Sequence, residues 1–154
     1  MARAPRSKLP PGWFHCINRG VNRRIIFDKR DDYSWFTSSL LNYAFDCDLT
    51  IKSFCLMPNH WHIVLHCNDT KSMSHMFRKL LNAHTKYFHC KNGTIGYGPI
   101  YQGRYKSIPI LDNETLQTIC EYVEMNPVRA NLVKNTTDWP WSSANAGTVK
   151  CLTP

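Results

Sequence analysis

The chain has 154 residues, with 19 Lys plus Arg against 11 Asp plus Glu and a formal charge of +8, which suits one domain around one core and favours a polyanionic partner such as nucleic acid. No apolar run reaches the ~18 residues of a membrane span, and the seven cysteines are scattered with no CxxC pair; a membrane-spanning chain is excluded, and a disulfide framework or paired-cysteine zinc ribbon is argued against. A soluble, cytosolic protein with reduced cysteines is expected.

In chain order, the prolines at 5, 10 and 11 beside Arg3, Arg6 and Lys8 predict a basic extended arm over residues 1–13, because proline fixes φ and donates no backbone hydrogen bond. A single domain is expected over 14–143 and a tail over 144–154. Phe14 to Arg19 alternates like a strand, with Gly20 for the turn after it. Asp31 to Phe45 places Trp35, Phe36, Leu40, Tyr43 and Ala44 on one helical face. Leu49 to Leu56 and Trp61 to Cys67 predict a hairpin about Met57-Pro58-Asn59. Ser72 is the expected cap of a helix to about His89, striped by Met76, Leu80, Ala83 and Tyr87. The glycine-rich 92–99 stretch predicts a loop, and Tyr105 to Leu111 a further strand. Asp112 or Asn113 then caps a last helix, which Pro127 is expected to end. The first six elements form the α+β split βαβ, or ferredoxin-like, order: an antiparallel sheet with helices packed on one face. The seventh is an added C-terminal helix.

Three groups of residues bear on chemistry. His60 and His62 share one face of a strand, with Trp61 opposite, so two imidazoles stand side by side and can share one metal ion. Two partly exposed histidines at a strand end are the plain alternative. His66 and Cys67 would extend the set to a zinc site, but His66 lies roughly 13 Å along the strand from His62 at ~3.3 Å per residue, so His66 is read as structural. On the last helix, Tyr122 and Asn126 are four apart and stack together. They fall at the border of a stripe formed by Leu116, Ile119, Cys120 and Val123, where a side chain looks into a cleft or half-buries in the core. Candidates for contact with nucleic acid are Arg19, Arg23 and Arg24 after the first strand, and Arg78 and Lys79 on the middle helix. Tyr97, Tyr101 and Tyr105 alternate with Gln102, Arg104 and Lys106, a pattern that suits base stacking with phosphate contact or plain packing.

Read together, Asn18-Arg19-Gly20, Met57-Pro58-Asn59-His60-Trp61-His62, Gln102-Gly103-Arg104-Tyr105-Lys106, Tyr122-Val123-Glu124-Met125-Asn126-Pro127-Val128-Arg129-Ala130 and Trp139-Pro140-Trp141-Ser142-Ser143 resemble the REP-associated tyrosine transposases, relatives of the single-tyrosine transposases of small insertion sequences. The resemblance runs from about Phe14 to Ser143. It implies a nuclease domain in which His60, His62 and Asn126 bind a divalent metal, Mg²⁺ or Mn²⁺, and Tyr122 attacks DNA to leave a 5′-phosphotyrosine. It also implies a partner of single-stranded DNA with short palindromic hairpins, and an enzyme working as a monomer or a homodimer. The chain departs from the family at Val21, where a polar residue or Gly-Asn is common, at Glu124, where His is common, and at Asn131, where Gly is common.

Two rival readings remain open at this point. A non-catalytic nucleic-acid-binding module of the same fold would lack the nucleophile, and the RNP1-type signature of such modules is absent. A structural zinc protein is weakened by the missing cysteine pairs.

Overall fold

A computed structural model describes residues 5, 8–145 and 147 of the chain. Four strands, β1 (Gly12–Arg19), β2 (Leu49–Met57), β3 (His60–Cys67) and β4 (Lys106–Ile110), alternate with helices α1 (Arg30–Asp46), α2 (Thr70–Asn92), α3 (Asn113–Glu124) and α4 (Asn126–Arg129). The strands pair antiparallel in the order β2-β3-β1-β4. This is the split βαβ arrangement that the order of elements predicts.

Period-2 alternation gives the sheet two different faces. Phe14, Cys16, Phe54, Leu56, Trp61, Ile63 and Leu65 pack against Phe36 and Leu40 of α1 and Met73, Met76, Phe77 and Leu80 of α2. Cys55, Met57, Val64 and Ile110 form a second, smaller core with Leu116, Cys120 and Val123 of α3. The two long helices therefore share one face, and the added helix covers the other.

Several local causes are visible. The hairpin turn Pro58-Asn59 is docked by its carbonyls: Pro58 O accepts from the Ile26 and Phe27 amides at 2.8 and 3.0 Å, and Asn59 O accepts from Gly20 N at 2.8 Å. Gly20 is required there by close approach, since a Cβ would stand 2.3 Å from the Arg24 carbonyl oxygen. Pro109 sits in β4, which pairs only with β1 and so tolerates a residue without an N–H. After β2, the chain end closes the outer sheet edge: Leu56 N donates to Trp141 O at 2.9 Å and Ser143 N to Phe54 O at 3.0 Å. Trp139 Nε1 adds a bond to Leu56 O at 2.9 Å.

Some boundaries differ from expectation. Asp69, not Ser72, caps α2, its Oδ1 accepting from Lys71 N at 3.0 Å; a carboxylate one turn earlier catches the free amides better than the hydroxyl. Pro127 does not end the last helix. The break falls at Met125, and Pro127 sits in the first turn of α4, where its missing N–H costs nothing. Of the arm expected over 1–13, residues 1–4, 6 and 7 lie outside the described residues, Leu9 packs on the core, and Gly12 and Trp13 already belong to β1. Of the tail, 146 and 148–154 lie outside them. None of the six cysteines among the described residues is in a disulfide, and no helix there is long and apolar enough to cross a membrane.

Asp32 anchors the start of α1. Its carboxylate accepts from the Asp28 and Lys29 amides, both at 2.9 Å, from Tyr87 Oη at 3.0 Å and from Lys91 Nζ at 2.5 Å. Burial alone would raise its pKa, but these hydrogen bonds outweigh it and hold the group at about 2. Asp32→Asn should therefore cost about 2 kcal/mol at neutral pH, the usual worth of bonds to a charged group. Since the folded pKa is depressed, the carboxylate's contribution is present above the unfolded value of 3.8 and is lost as pH falls towards about 2. Urea unfolding of both proteins across that window should show the difference shrinking; a constant gap would show that the charge is not its source.

Candidate active site

The face of the sheet under α3 carries the polar residues. Strand pairing aligns them in rows: Met57, His60 and Arg19; then Cys55, His62, Ile17 and Lys106; then Val64, His15 and Ile108. Trp61, between the two β3 histidines, is wholly buried in the opposite core. His60 and His62 thus project to the same side, their ring centroids 5.2 Å apart.

α3 brings Tyr122 over this row. Its ring centroid lies 6.0 Å from that of His62 and 6.4 Å from that of His15, edge-on to both. Asp112 caps the helix, accepting from Thr115 N at 2.7 Å, and Leu116, Cys120 and Val123 seat it. Tyr122 stands at the border of that apolar stripe and is 46% exposed. Asn126 stays beside it despite the break at Met125, because its amide nitrogen donates to the Tyr122 and Val123 carbonyls, each at 3.2 Å. The Asn126 side chain also lies close enough to His60 to raise its pKa.

Burial sets the protonation of the imidazoles. Desolvation lowers His15 to about 4. Desolvation, then the neighbouring His15 and His60 and the charges of Arg129 and Arg19, lower His62 to about 3. His60 is lowered by desolvation and by Arg19, against a raising bond from Asn126. All three rings are neutral at physiological pH, the state in which an imidazole ligates metal.

Two residues at the site carry no signal in the sequence pattern. His15 places Nε2 3.0 Å from His62 Nδ1, with the rings stacked. Arg129 lays its guanidinium 3.9 Å from the Tyr122 ring centroid and donates from Nη2 to the Tyr122 carbonyl at 2.8 Å. Alternation of Phe14 and Cys16 around His15 marks its face, but its partner is visible only once β1 and β3 are paired.

The other candidates separate by layer. Arg19 and Lys106 share the face of His60 and His62 by strand register, whereas Arg104 is exposed in the loop before β4, following Gly103, whose carbonyl accepts from Asn18 Nδ2 at 3.2 Å. Arg23 and Arg24 are exposed in the turn after β1. Arg78 and Lys79 lie on α2, with the sheet between them and Tyr122; Arg78 meets His75 at 2.9 Å, and Lys79 lies over Tyr43. Tyr101 is corrected from a stacking residue to a core residue: it is 8% exposed, and its hydroxyl binds Trp61 Nε1 at 3.2 Å and His84 Nδ1 at 2.6 Å. Tyr105 is buried too, which leaves Tyr97 as the exposed aromatic of that segment. His66 meets Trp13 edge-on at 5.2 Å, and Cys67 lies in the core on the other face. A recess of about 230 Å³ beside Asp32, Tyr87 and Lys91 shares no residue with the histidine–tyrosine cleft.

The family model "Transposase IS200 like" matches residues 11–126. A REP-associated tyrosine transposase of Escherichia coli (strain K12) is 22% identical over 143 residues, covering 92% of this chain and 81% of the relative. The solved structure of a REP-associated tyrosine transposase bound to a REP hairpin superposes with a TM-score of 0.73 at 22% identity, covering all of this chain and 89% of the other. The matched span takes in β1, the hairpin with both its histidines, and α3 through Asn126, so the chain belongs to the IS200-like transposases, enzymes that act on DNA in transposition.

Proposed function

We propose that this transposase cuts and rejoins single-stranded DNA beside short hairpins, with Tyr122 as the nucleophile and a divalent ion, Mg²⁺ or Mn²⁺, held by His60, His62 and Asn126. The approach of Tyr122 to His62, which stands beside His60 on the sheet face under α3, is the observation that carries it. The donor set fits such an ion. Among the described residues no three His, Cys, Asp or Glu side chains group to hold a metal, so the site rests on two ring nitrogens and an amide oxygen. Nδ1 of His60 faces Asn59 Oδ1 at 2.7 Å and Nδ1 of His62 faces His15, which leaves Nε2 on each ring. When bound, the ion supplies Lewis-acid polarisation of the scissile phosphate.

The protein's own groups do the rest. Arg129 pins the Tyr122 ring by cation–π contact and holds its backbone carbonyl. Arg19 and Lys106, on the same face, receive the phosphates, with Arg104, exposed in the loop before β4, as a further contact. The phenol oxygen bonds to phosphorus, the bond from phosphorus to the 3′ oxygen breaks, and the phenolic proton is balanced by protonation of that 3′ oxygen. The 5′-phosphotyrosine keeps the energy of the phosphodiester, so a second 3′-hydroxyl displaces it without ATP. A REP hairpin is what the solved relative binds, and a hairpin with an unpaired flank is the substrate we assign to this chain. We place the enzyme in the cytosol, with its DNA.

Incubation with end-labelled hairpin DNA and Mn²⁺, followed by a denaturing gel, should trap a covalent adduct with the wild type and none with Tyr122→Phe. His60→Ala and His62→Ala should abolish cleavage while His66→Ala keeps most of it. An adduct of normal yield from Tyr122→Phe would reassign the nucleophile.

Metal binding should resist acid. With His62 lowered to about 3, that ligand stays neutral well below the ordinary 6.5, and His60 is lowered as well. Mn²⁺ affinity should fall less than about tenfold from pH 7.5 to 5.5, where two unperturbed imidazoles would lose about tenfold each. Calorimetric titration at the two pH values decides it, and a hundredfold loss would remove these rings from the ligand set.

Strand state gives the last test. Opening a duplex costs roughly 1.4 kcal/mol per base-pair step, and the chain carries no ATP motif to meet that cost. A hairpin whose flank is single-stranded should be cut far faster than the same hairpin with a complement annealed over the flank; equal rates would refute the single-strand reading.

A further inference from the structure

The contact between His15 and His62 has no place in the ligand set, yet it is the shortest one His62 makes to another ring: Nε2 to Nδ1 at 3.0 Å, both side chains 6% exposed. A single proton must lie between the two nitrogens, and there are two ways to place it. If His15 donates from Nε2, His62 accepts at Nδ1 and, being neutral, carries its proton on Nε2, where no metal can bind. If His62 donates from Nδ1, its Nε2 lone pair is free, and His15 is the tautomer protonated at Nδ1. We propose that His15 is a positioning residue: by accepting from His62 Nδ1–H it selects the metal-binding tautomer of His62 and fixes the direction of its Nε2.

The backbone makes this a built contact rather than a chance one. β1 pairs with β3 so that Ile17 stands opposite His62 and His15 opposite Val64. His15 is therefore one row along and one strand across from His62, on the same face. The rings stack at 22° with centroids 5.2 Å apart, and Tyr122 closes over both. A metal-ligating histidine usually gives its second N–H to a carboxylate or carbonyl; here a neutral imidazole takes that part. The substitution has an electrostatic consequence. A carboxylate would add negative charge where Arg19, Arg129 and an incoming phosphate have to balance, and an imidazole adds none.

This inference rests on the reading of His60 and His62 as ligands, and the experiment separates the two. Mn²⁺ affinity of the full chain is measured by calorimetry without DNA for the wild type, His60→Ala, His15→Leu and His15→Gln, with hairpin binding in EDTA as the control. His15→Leu should weaken Mn²⁺ binding about 10- to 100-fold, His15→Gln should recover most of it through its amide oxygen, and hairpin affinity in EDTA should be unchanged in both. Wild-type affinity in His15→Leu, or equal loss in Leu and Gln, overturns the positioning role. Equal Mn²⁺ binding by the wild type and His60→Ala would instead sink the ligand assignment itself. Should His15→Leu not fold, long-range ¹H–¹⁵N spectra of the Mg²⁺-saturated wild type decide the matter: His15 and His62 should both be protonated at Nδ1, and a His15 protonated at Nε2 overturns the proposal.

Discussion

The burial of Trp61 is the constraint from which the rest of the site follows. Its indole stacks on Phe77 with the rings 3° from parallel and donates to the Tyr101 hydroxyl, which His84 also binds. A strand slipped by one residue would turn Trp61 out and bury two imidazoles among apolar side chains, so that register is heavily disfavoured. With Trp61 fixed, His60 and His62 have only the opposite face to occupy. The same logic holds in β1, where Phe14 and Cys16 are buried in the first core and His15 is turned to the second. The polar face under α3 is thus the remainder left when the large core is satisfied.

That face has an unusual electrostatic character. Its polar groups are neutral imidazoles and an amide, ringed by the cations Arg19, Lys106 and Arg129, and the Glu124 carboxylate is turned away. Glu124, two residues after the tyrosine, accepts from Ser143 Oγ at 2.7 Å and is thereby tied to β2 instead of facing the cleft. Neutral donors of this kind would leave the charge of the proposed ion whole, and the surrounding cations would add to it. Such a site suits a polyanion approaching from solvent, and it suits a reaction in which negative charge passes from a phosphate ester to a phenolic oxygen and back.

How far the sequence reveals this depends on whether a feature is local. The His-Trp-His alternation, the turn at Pro58-Asn59 and the apolar stripe of α3 are written within a few residues, and each is legible. The His15–His62 contact depends on which strands are neighbours, and the order β2-β3-β1-β4 is not encoded in any window. Tyr101 was misassigned for a related reason: an alternation of aromatic and basic residues is the same on paper whether the aromatics face DNA or a buried histidine. The position of Asn131 is a further case. It adopts a left-handed φ of 57° just past α4, a conformation that glycine takes freely and asparagine tolerates better than most residues, so the structural reason for the residue type appears only with the backbone.

The departure at Glu124 and the Trp139-Pro140-Trp141-Ser142-Ser143 segment turn out to be one device. The segment runs along the outer edge of β2, pairs with Phe54 and Leu56 through the backbone, and stacks Trp141 on Tyr33 of α1. An exposed strand edge invites pairing with another chain, and this covering removes the invitation. Ser143 then reaches back to Glu124, so the covering segment also grips the last turn of α3. A helix that carries the proposed nucleophile on its half-exposed border needs such a grip. Its apolar stripe seats it against the sheet but does little to stop rotation about its own axis. The Glu124 tie to Ser143 and the Arg129 contact with the Tyr122 ring and carbonyl both act just after Tyr122 in the chain, and together they oppose the rotation that would turn the tyrosine away from His62.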